Sequence, residues 1–126
     1  MLGHYSAPVE TARAYYNSSD ADNFYATTWG GEDIHTGIYE TVDEPIAKAS
    51  RHTEEKIVSL LKLDKSARVL DVGSGYGGPA RYLVKTTGCR VDCLNISEVQ
   101  IQRTRRLNQQ QGLNDDIQII EGNFEE

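Results

Sequence analysis

The chain has 126 residues, 38% of them hydrophobic and 25% charged, and its 13 Lys and Arg against 19 Asp and Glu residues give a net charge of −6. This balance leaves too little basic surface to neutralise nucleic-acid phosphates, and no apolar run approaches a membrane span, so neither nucleic acid nor membrane is an expected partner. The N-terminus lacks the basic region and apolar core of a signal peptide, which makes the cytoplasm the expected location.

The N-terminal part of the chain predicts a small helical cap. Two short helices are expected over residues 8–16 and 20–28, with a break at Asn17-Ser18-Ser19 between them. Either Ser19 or Asp20 suits the N-cap position of the second helix, and the pair Gly30-Gly31 is expected to end it. We take residues 1–42 as this cap.

From residue 43 to 126 the pattern predicts an α/β domain with a parallel sheet. Asp43 is the expected N-cap of a helix that has Pro45 in its first turn. The apolar stripe of this helix consists of Ile46, Ala49, Ile57, Leu60 and Leu61. Strands and helices then alternate, with strands over 68–72, 90–95 and 117–121 and helices over 78–87 and 98–111. Gly88 and Gly112 follow the two helices at positions suited to left-handed caps.

The two cysteines lie on the second predicted strand. Four residues at about 3.3 Å each would separate Cys89 from Cys93 by roughly 13 Å, which is too far for a disulfide. Neither belongs to a Cys and His cluster with metal-ligand spacing, so both are expected to be structural thiols and no metal is expected.

A glycine loop follows the first strand and indicates the ligand class. The spacing Gly73-x-Gly75-x-x-Gly78 satisfies the dinucleotide fingerprint, but a dinucleotide site also wants an acid at the end of the second strand, and Asn95 stands there. Asp71 ends the first strand instead, where a carboxylate would repel a pyrophosphate and attract an ammonium or a sulfonium. S-adenosylmethionine carries both of these cations, and a nicotinamide oxidoreductase is disfavoured.

The acidic-x-Gly-x-Gly-x-Gly pattern formed by Asp71, Gly73, Gly75 and Gly77 resembles the first motif of the class I S-adenosylmethionine-dependent methyltransferases. Further segments narrow the resemblance to the sarcosine and dimethylglycine N-methyltransferases, with phosphoethanolamine, tocopherol and sterol methyltransferases as cousins. These segments are residues 15–17, 29–39, 94–100 and 122–124. The resemblance implies the N-terminal half of a Rossmann-like sheet of seven strands in the order 3-2-1-4-5-7-6, ending after the third strand.

By this resemblance, the cap and the first loop hold the methionine part of the cofactor. Tyr16 would close over it, and the segment His35-Thr36 would contact its carboxylate. Ser74 belongs with its neighbouring glycines to the loop that would approach the cofactor, and Asp71 would bind the ammonium. Aromatic faces are suited to a sulfonium because they offer it no nucleophile.

The ends of the second and third strands are expected to hold adenosine. The amide of Asn95 can donate to and accept from ribose hydroxyls, and an acid in its place should be tolerated or improve affinity. By the same resemblance, Ile96 would pack on adenine and Gln100 would reach the ribose, unless Gln100 only completes a capping box with Ser97. Asn123 would bind adenine unless it is a turn residue, and Phe124 is either a stacking wall or a core aromatic.

The resemblance implies transfer of a methyl group to a small amine such as sarcosine or dimethylglycine, in betaine synthesis. Catalytic residues stay unassigned, because the family draws its substrate pocket largely from chain beyond the third strand. The alternatives are a binding module without catalysis and a methyltransferase of another small molecule. The edge of the first strand would lack its neighbour in the 126-residue chain, so self-association is expected.

Overall fold

The computed structural model describes residues 4–29 and 31–125. Residues 1–3 of the predicted cap and Gly30, part of the predicted helix end, lie outside the described residues. The helical segments are α1 (Ala7–Asn17), α2 (Ser19–Asn23), a π-helix (Phe24–Trp29), α3 (Ile46–Leu61), α4 (Gly78–Thr87) and α5 (Glu98–Gln110). The strands are β1 (Arg68–Val72), β2 (Arg90–Asn95) and β3 (Ile117–Glu121). No helix in the described ranges is both long and apolar enough to cross a bilayer.

The three strands form one parallel sheet in the order β1-β2-β3, which confirms the predicted strands residue for residue. In register, Val91 of β2 lies between Val69 of β1 and Ile117 of β3. α4 packs its apolar residues on this sheet, and the buried core consists of Ala80, Leu83, Val84, Cys89, Val91, Cys93 and Ile117. The carboxyl ends of all three strands therefore open toward the same edge of the molecule.

The second helix of the cap differs from the prediction in its start and its type. Ser18 is the N-cap, because its Oγ accepts a hydrogen bond from Ala21 N at 3.2 Å, so the predicted caps Ser19 and Asp20 are wrong. The α-helical part ends at Asn23 and is followed by the π-helix. In a π-helix each backbone N–H bonds to the carbonyl five residues earlier, one residue further than in an α-helix. Such segments occur frequently at functional sites.

The start of α3 also differs from the prediction. Pro45 is its N-cap and lies outside the first turn, and the side chain of Asp43 makes no capping hydrogen bond. The neighbouring Glu44 turns inward instead and pairs with Lys48 at 2.9 Å. Asp43 itself is exposed, so the predicted cap is wrong.

One side of the sheet is open. Within the described residues β1 pairs only with β2, and its Leu70 and Val72 are 57% and 48% exposed. The apolar residues Ile57, Leu60 and Leu61 of α3 are exposed as well. The stripe predicted for α3 is therefore buried only in part, at Ala49.

Polar contacts fasten the cap to the sheet layer. Asn17 of α1 accepts a hydrogen bond from Ser97 Oγ at 2.7 Å and donates one to Glu98 Oε2 at 2.6 Å, at the start of α5. Asp22 of α2 accepts from Arg103 Nη2 at 2.5 Å and from the hydroxyl of buried Tyr76, in the glycine loop, at 2.8 Å. These contacts hold the cap over the strand ends.

Candidate ligand site at the strand ends

A cavity of about 260 Å³ lies between the cap and the carboxyl ends of the three strands. Its size is close to the lower end of small-molecule sites, roughly 300–1,000 Å³. No acidic or basic side chain is among its lining residues, which are Tyr16, Tyr25, Ile34, Val72, Gly73, Gly75, Leu94, Asn95, Ile96, Gln100, Gly122, Asn123 and Phe124.

Eight of the predicted site residues are in this lining: Tyr16, Gly73, Gly75, Asn95, Ile96, Gln100, Asn123 and Phe124. Four predicted residues, Asp71, Ser74, His35 and Thr36, lie outside it. The sequence prediction missed Tyr25, Ile34, Val72, Leu94 and Gly122. Val72, Leu94 and Gly122 could have been found from their places at the strand ends, whereas Tyr25 and Ile34 belong to cap segments whose position depends on the tertiary fold.

The glycine loop shapes the floor of the cavity. Gly73 and Gly75 have φ values of 72° and 55°, in the left-handed region that favours glycine. A Cβ on Gly75 would lie 2.8 Å from Ile34 Cγ1, so the cap presses on the loop there, whereas a Cβ on Gly73 would meet no atom within 4 Å. The amides of Gly73 and Ser74 both donate to Leu94 O, which ties the loop to β2.

Asp71, near the end of β1, offers an oxygen that no protein group uses. Its Oδ2 is buried and has no hydrogen-bond partner among the described residues. Burial raises the pKa of this carboxyl, and the nearby His35 works in the opposite direction. A buried carboxylate oxygen without a partner is costly unless a cation or a donor completes it, so this end of the site suits a cationic ligand group.

Asn95, the last residue of β2, differs from Asp71 in that its side chain is hydrogen-bonded to the protein. Its Nδ2 donates to Gly75 O and to Gln100 Oε1, both at 3.0 Å, and its Oδ1 accepts from Ser97 N at 3.1 Å. Both amide protons are therefore used, and only one lone pair is left for a ribose hydroxyl. In this arrangement Asn95 supports the glycine loop and can only accept from ribose, and its contact with the ribose stays a prediction.

Of the two hydrogen bonds that make a capping box, only one is present at the start of α5. Ser97 Oγ accepts from Gln100 N at 3.2 Å, as expected for an N-cap. The Gln100 side chain does not reach back to Ser97 N, because Asn95 already holds that donor. With its Oε1 taken by Asn95, Gln100 presents its Nε2 as the group left over for a ligand.

The segment after β3 again has an unused polar atom. Asn123 Nδ2 is buried and has no hydrogen-bond partner among the described residues, although Asn123 lines the cavity. Phe124 is 70% exposed, which rules out a core aromatic and leaves the role of a wall. This end of the cavity therefore offers a hydrogen-bond donor beside an aromatic surface.

Tyrosines from the cap form the roof. Tyr16 and Tyr25 lie with their ring centroids 6.3 Å apart and their planes inclined by 30°. Trp29 meets Tyr25 edge to face at 6.1 Å, and Tyr15 meets Tyr16 in the same way at 5.0 Å. The roof is thus an aromatic surface supported from outside by further rings.

His35 sits in a buried charge cluster next to the loop. Its Nε2 lies 3.4 Å from Glu54 Oε1 and its Nδ1 lies 3.2 Å from Thr36 O, so both ring nitrogens face acceptors. The hydrogen bond to Glu54 raises the pKa of His35. Burial, followed by the hydrogen bond with Glu54, raises the pKa of Asp33 to about 7, while Arg51 pairs with Asp33 at 3.3 Å.

The carboxylates and imidazole of this cluster were not expected to meet. Potential metal-ligand atoms of Asp33, His35 and Glu54 lie within 4.8 Å of one another. Arg51 Nη1 also lies 2.5 Å from Glu54 Oε2 and already supplies a positive charge. The two ion pairs of Arg51 fix the loop carrying His35 to α3, while Asp33 Oδ1 keeps no hydrogen-bond partner among the described residues.

The start of α4 is closed by the cap. A Cβ on Gly78 would lie 2.0 Å from Asp33 Oδ1 and 2.5 Å from Glu32 O. A bound dinucleotide places its pyrophosphate at this helix N-terminus, where an acidic side chain stands here. The position of Asp33 at the start of α4 therefore disfavours a nicotinamide cofactor, as does the amide in place of an acid at the end of β2.

The parallel sheet, the glycine loop and the position of the cavity define a class I methyltransferase fold of the Rossmann-like type, in its cofactor-binding half. The chain belongs to the family described as mycolic acid cyclopropane synthetase, whose family model matches residues 5–126. The predicted fold class and the predicted kinship with S-adenosylmethionine-dependent methyltransferases are confirmed.

Several proteins of known description are similar to this chain. It is 53% identical over 119 residues to the sarcosine/dimethylglycine N-methyltransferase of Halorhodospira halochloris, covering 94% of this chain and 43% of that protein. It is 51% identical over 122 residues to the glycine/sarcosine/dimethylglycine N-methyltransferase of Actinopolyspora halophila, covering 97% and 22%. The crystal structure of a proposed sarcosine dimethylglycine methyltransferase from Galdieria sulphuraria superposes with a TM-score of 0.80 at 45% identity, covering 89% and 43%. The chain thus spans less than half the length of these relatives.

Proposed function

We propose that this chain binds S-adenosylmethionine in the cavity at the strand ends and serves a small-molecule N-methyltransferase. The observation that carries the proposal is that two of the buried polar atoms without partners among the described residues lie at the strand ends, Asp71 Oδ2 near the end of β1 and Asn123 Nδ2 after β3. Their strands are separated by two strand spacings, roughly 10 Å. A ligand with a cationic group at one end and a hydrogen-bond acceptor at the other would complete both.

The residues present fit this cofactor. Asp71 would hold the ammonium of the methionine part, and Asn123 would donate to a ring nitrogen of adenine and accept from its amino group. Gln100 would donate to the ribose through Nε2, with Asn95 behind it as support. Contact of Asp71 with the ammonium and of His35 and Thr36 with the methionine carboxylate stays a prediction, because none of these three residues lines the cavity.

Bound S-adenosylmethionine supplies a methyl group already activated on sulfur. The protein's task is then to align the acceptor and exclude water, and strong acid or base catalysis is not required. An amine acceptor must be neutral to attack, so a proton acceptor or a selected unprotonated substrate is needed. We assign no described residue to that role.

Sarcosine and dimethylglycine are the acceptors we propose, because the proteins at 51% and 53% identity are described as methylating them. The test uses the complete product of the gene and a panel of amines, sterols and phosphoethanolamine, with S-adenosylhomocysteine formation as the readout. We expect product with sarcosine or dimethylglycine. Turnover only with another acceptor would overturn the substrate, and binding without any turnover would favour a module without catalysis.

Cofactor identity is tested separately by titration calorimetry. We expect heat of binding with S-adenosylmethionine and none with NADH at the same concentration, because Asp33 stands at the start of α4. Binding of NADH alone would overturn the proposal. The division of the chain at residue 42 and a cytoplasmic location also stay proposals.

We also propose that residues 1–126, expressed alone, self-associate through β1. Leu70 and Val72 are exposed beside an edge whose ladder groups are unpaired among the described residues. Such an edge pairs readily with another chain. Size-exclusion chromatography with light scattering should find species larger than a monomer, and a single monomeric peak would contradict this.

A further inference from the structure

Tyr25 lies at the cavity, and its role was not expected from the sequence. It sits in the π-helix and contributes its ring to the lining together with Tyr16. Phe24 and Trp29, from the same π-helix, contact the Tyr25 ring at 5.3 Å and 6.1 Å in edge-to-face geometry. The ring is therefore held in position by its own helix.

The surroundings of Tyr25 are suited to a cation that must not meet a nucleophile. Among the described residues that line the cavity none has a carboxylate, and Asp71, the proposed partner of the ammonium, lies outside the lining. The hydrogen bond with Tyr15, followed by burial, raises the pKa of Tyr25 to about 12, so its hydroxyl stays protonated at neutral pH. Tyr25 thus offers the face of a neutral ring, which attracts a cation electrostatically, and no phenolate that a sulfonium could alkylate.

We propose that Tyr25 is a specificity-determining residue that, stacked with Tyr16, recognises the positive charge on the sulfur and favours the sulfonium over the neutral thioether. This rests on the proposed function, because it presumes that S-adenosylmethionine occupies the cavity. Adenosine and the amino-acid end are common to substrate and product cofactor. A substitution that changes the ratio of their affinities therefore acts on the sulfur charge or on the methyl group, the two features in which the ligands differ.

The test measures dissociation constants of S-adenosylmethionine and S-adenosylhomocysteine on the same preparation of the gene's complete product. Tyr25→Leu should lower the preference for the sulfonium by about 2- to 30-fold, the range of a cation–π contact. Tyr25→Phe keeps the ring and should leave the ratio unchanged. Tyr39→Leu is the matched control, because Tyr39 is 49% exposed and lies outside the lining.

A second series separates ring charge from ring shape. Replacing Tyr25 with phenylalanines that carry one, two and three ring fluorines weakens the negative face stepwise at nearly constant shape. The preference should fall in the same order. Equal losses for both ligands, or an unchanged ratio across the series, would overturn the role of Tyr25 and leave the proposed function intact. Failure of the unaltered protein to bind either ligand would overturn both.

Discussion

The ends of the three strands look alike in sequence but differ in how their polar side chains are used. Asp71 near the end of β1 and Asn123 after β3 each keep a buried atom without a partner in the described protein. Asn95, at the end of β2 between them, has both amide protons bound to Gly75 O and Gln100 Oε1. We therefore propose that the outer two strand ends bind the ligand, whereas the middle one holds the loop that shapes the cavity.

The difference teaches that a polar residue at the carboxyl end of a strand is not by that fact a ligand residue. Position places the side chain at the right edge of the sheet. Its hydrogen-bond inventory then decides whether any donor or acceptor is left.

The largest expected effect comes from Asn95→Asp. A carboxylate there would face two acceptors, Gly75 O and Gln100 Oε1, and would lose both donors, so we expect the free energy of unfolding to fall by about 2 to 4 kcal/mol. Urea denaturation measures it, with Asn114→Asp at an exposed position as the control. Unchanged stability with tighter cofactor binding would restore the expectation drawn from the sequence.

Asp71→Ala tests the strand end whose polar side chain has no protein partner. Because its carboxylate has no protein partner to lose, affinity for S-adenosylmethionine should fall by about 2 kcal/mol while stability changes little or rises. Calorimetry gives the affinity and thermal unfolding gives the stability. Asp92→Ala removes an acid of the same sheet that is paired with Arg68 and serves as control. A loss of stability without loss of affinity would make Asp71 structural.

Asn123→Leu should have a smaller effect, because a neutral hydrogen bond contributes about 1 kcal/mol. The side chain keeps its approximate size and loses Nδ2, so affinity should fall about fivefold. Asn114→Leu is the exposed control. If Asn123→Leu lowers stability and leaves affinity unchanged, Gly122-Asn123 is only a turn.

The last prediction concerns how stability depends on pH, with a slope of at most about 1.4 kcal/mol per pH unit for one proton, through Asp33, whose Oδ2 pairs with Arg51. Its pKa is raised to about 7, so the folded state holds a proton more tightly than the unfolded state and stability falls as pH rises from about 4 to 7. The raised pKa of His35 adds a loss of the same sign at higher pH. Asp33→Asn should flatten the first part of this decline in denaturation measured across pH, and exposed Asp43→Asn should not. An equal slope in both variants would contradict the assignment.

Sequence alone predicted what depends on local pattern. The three strands, α4 and the caps at Gly88 and Gly112 follow from periodicity and glycine placement, and each is found. It could not predict which partner a side chain takes across the fold. Asn95 bonds to Gly75 and the hydroxyl of Tyr76 bonds to Asp22, 20 and 54 residues away, and neither separation leaves a local signal.

The same reason explains the residues that were missed. Tyr25 lines the cavity from a π-helix where an α-helix was predicted, and no spacing in the sequence marks that change. Asp33 meets Glu54 and Arg51 only because the loop after the cap folds onto α3.

Side-chain amide resonances of Asn95 and Asn123, followed by nitrogen-15 NMR during titration with S-adenosylmethionine, test the central comparison most directly. The amide protons of Asn95 should exchange slowly before ligand is added, because both are hydrogen-bonded, and should change little on saturation. Those of Asn123 should shift and become protected only with the cofactor bound. Protection that appears at Asn95 and not at Asn123, or saturation that alters neither, would contradict the account.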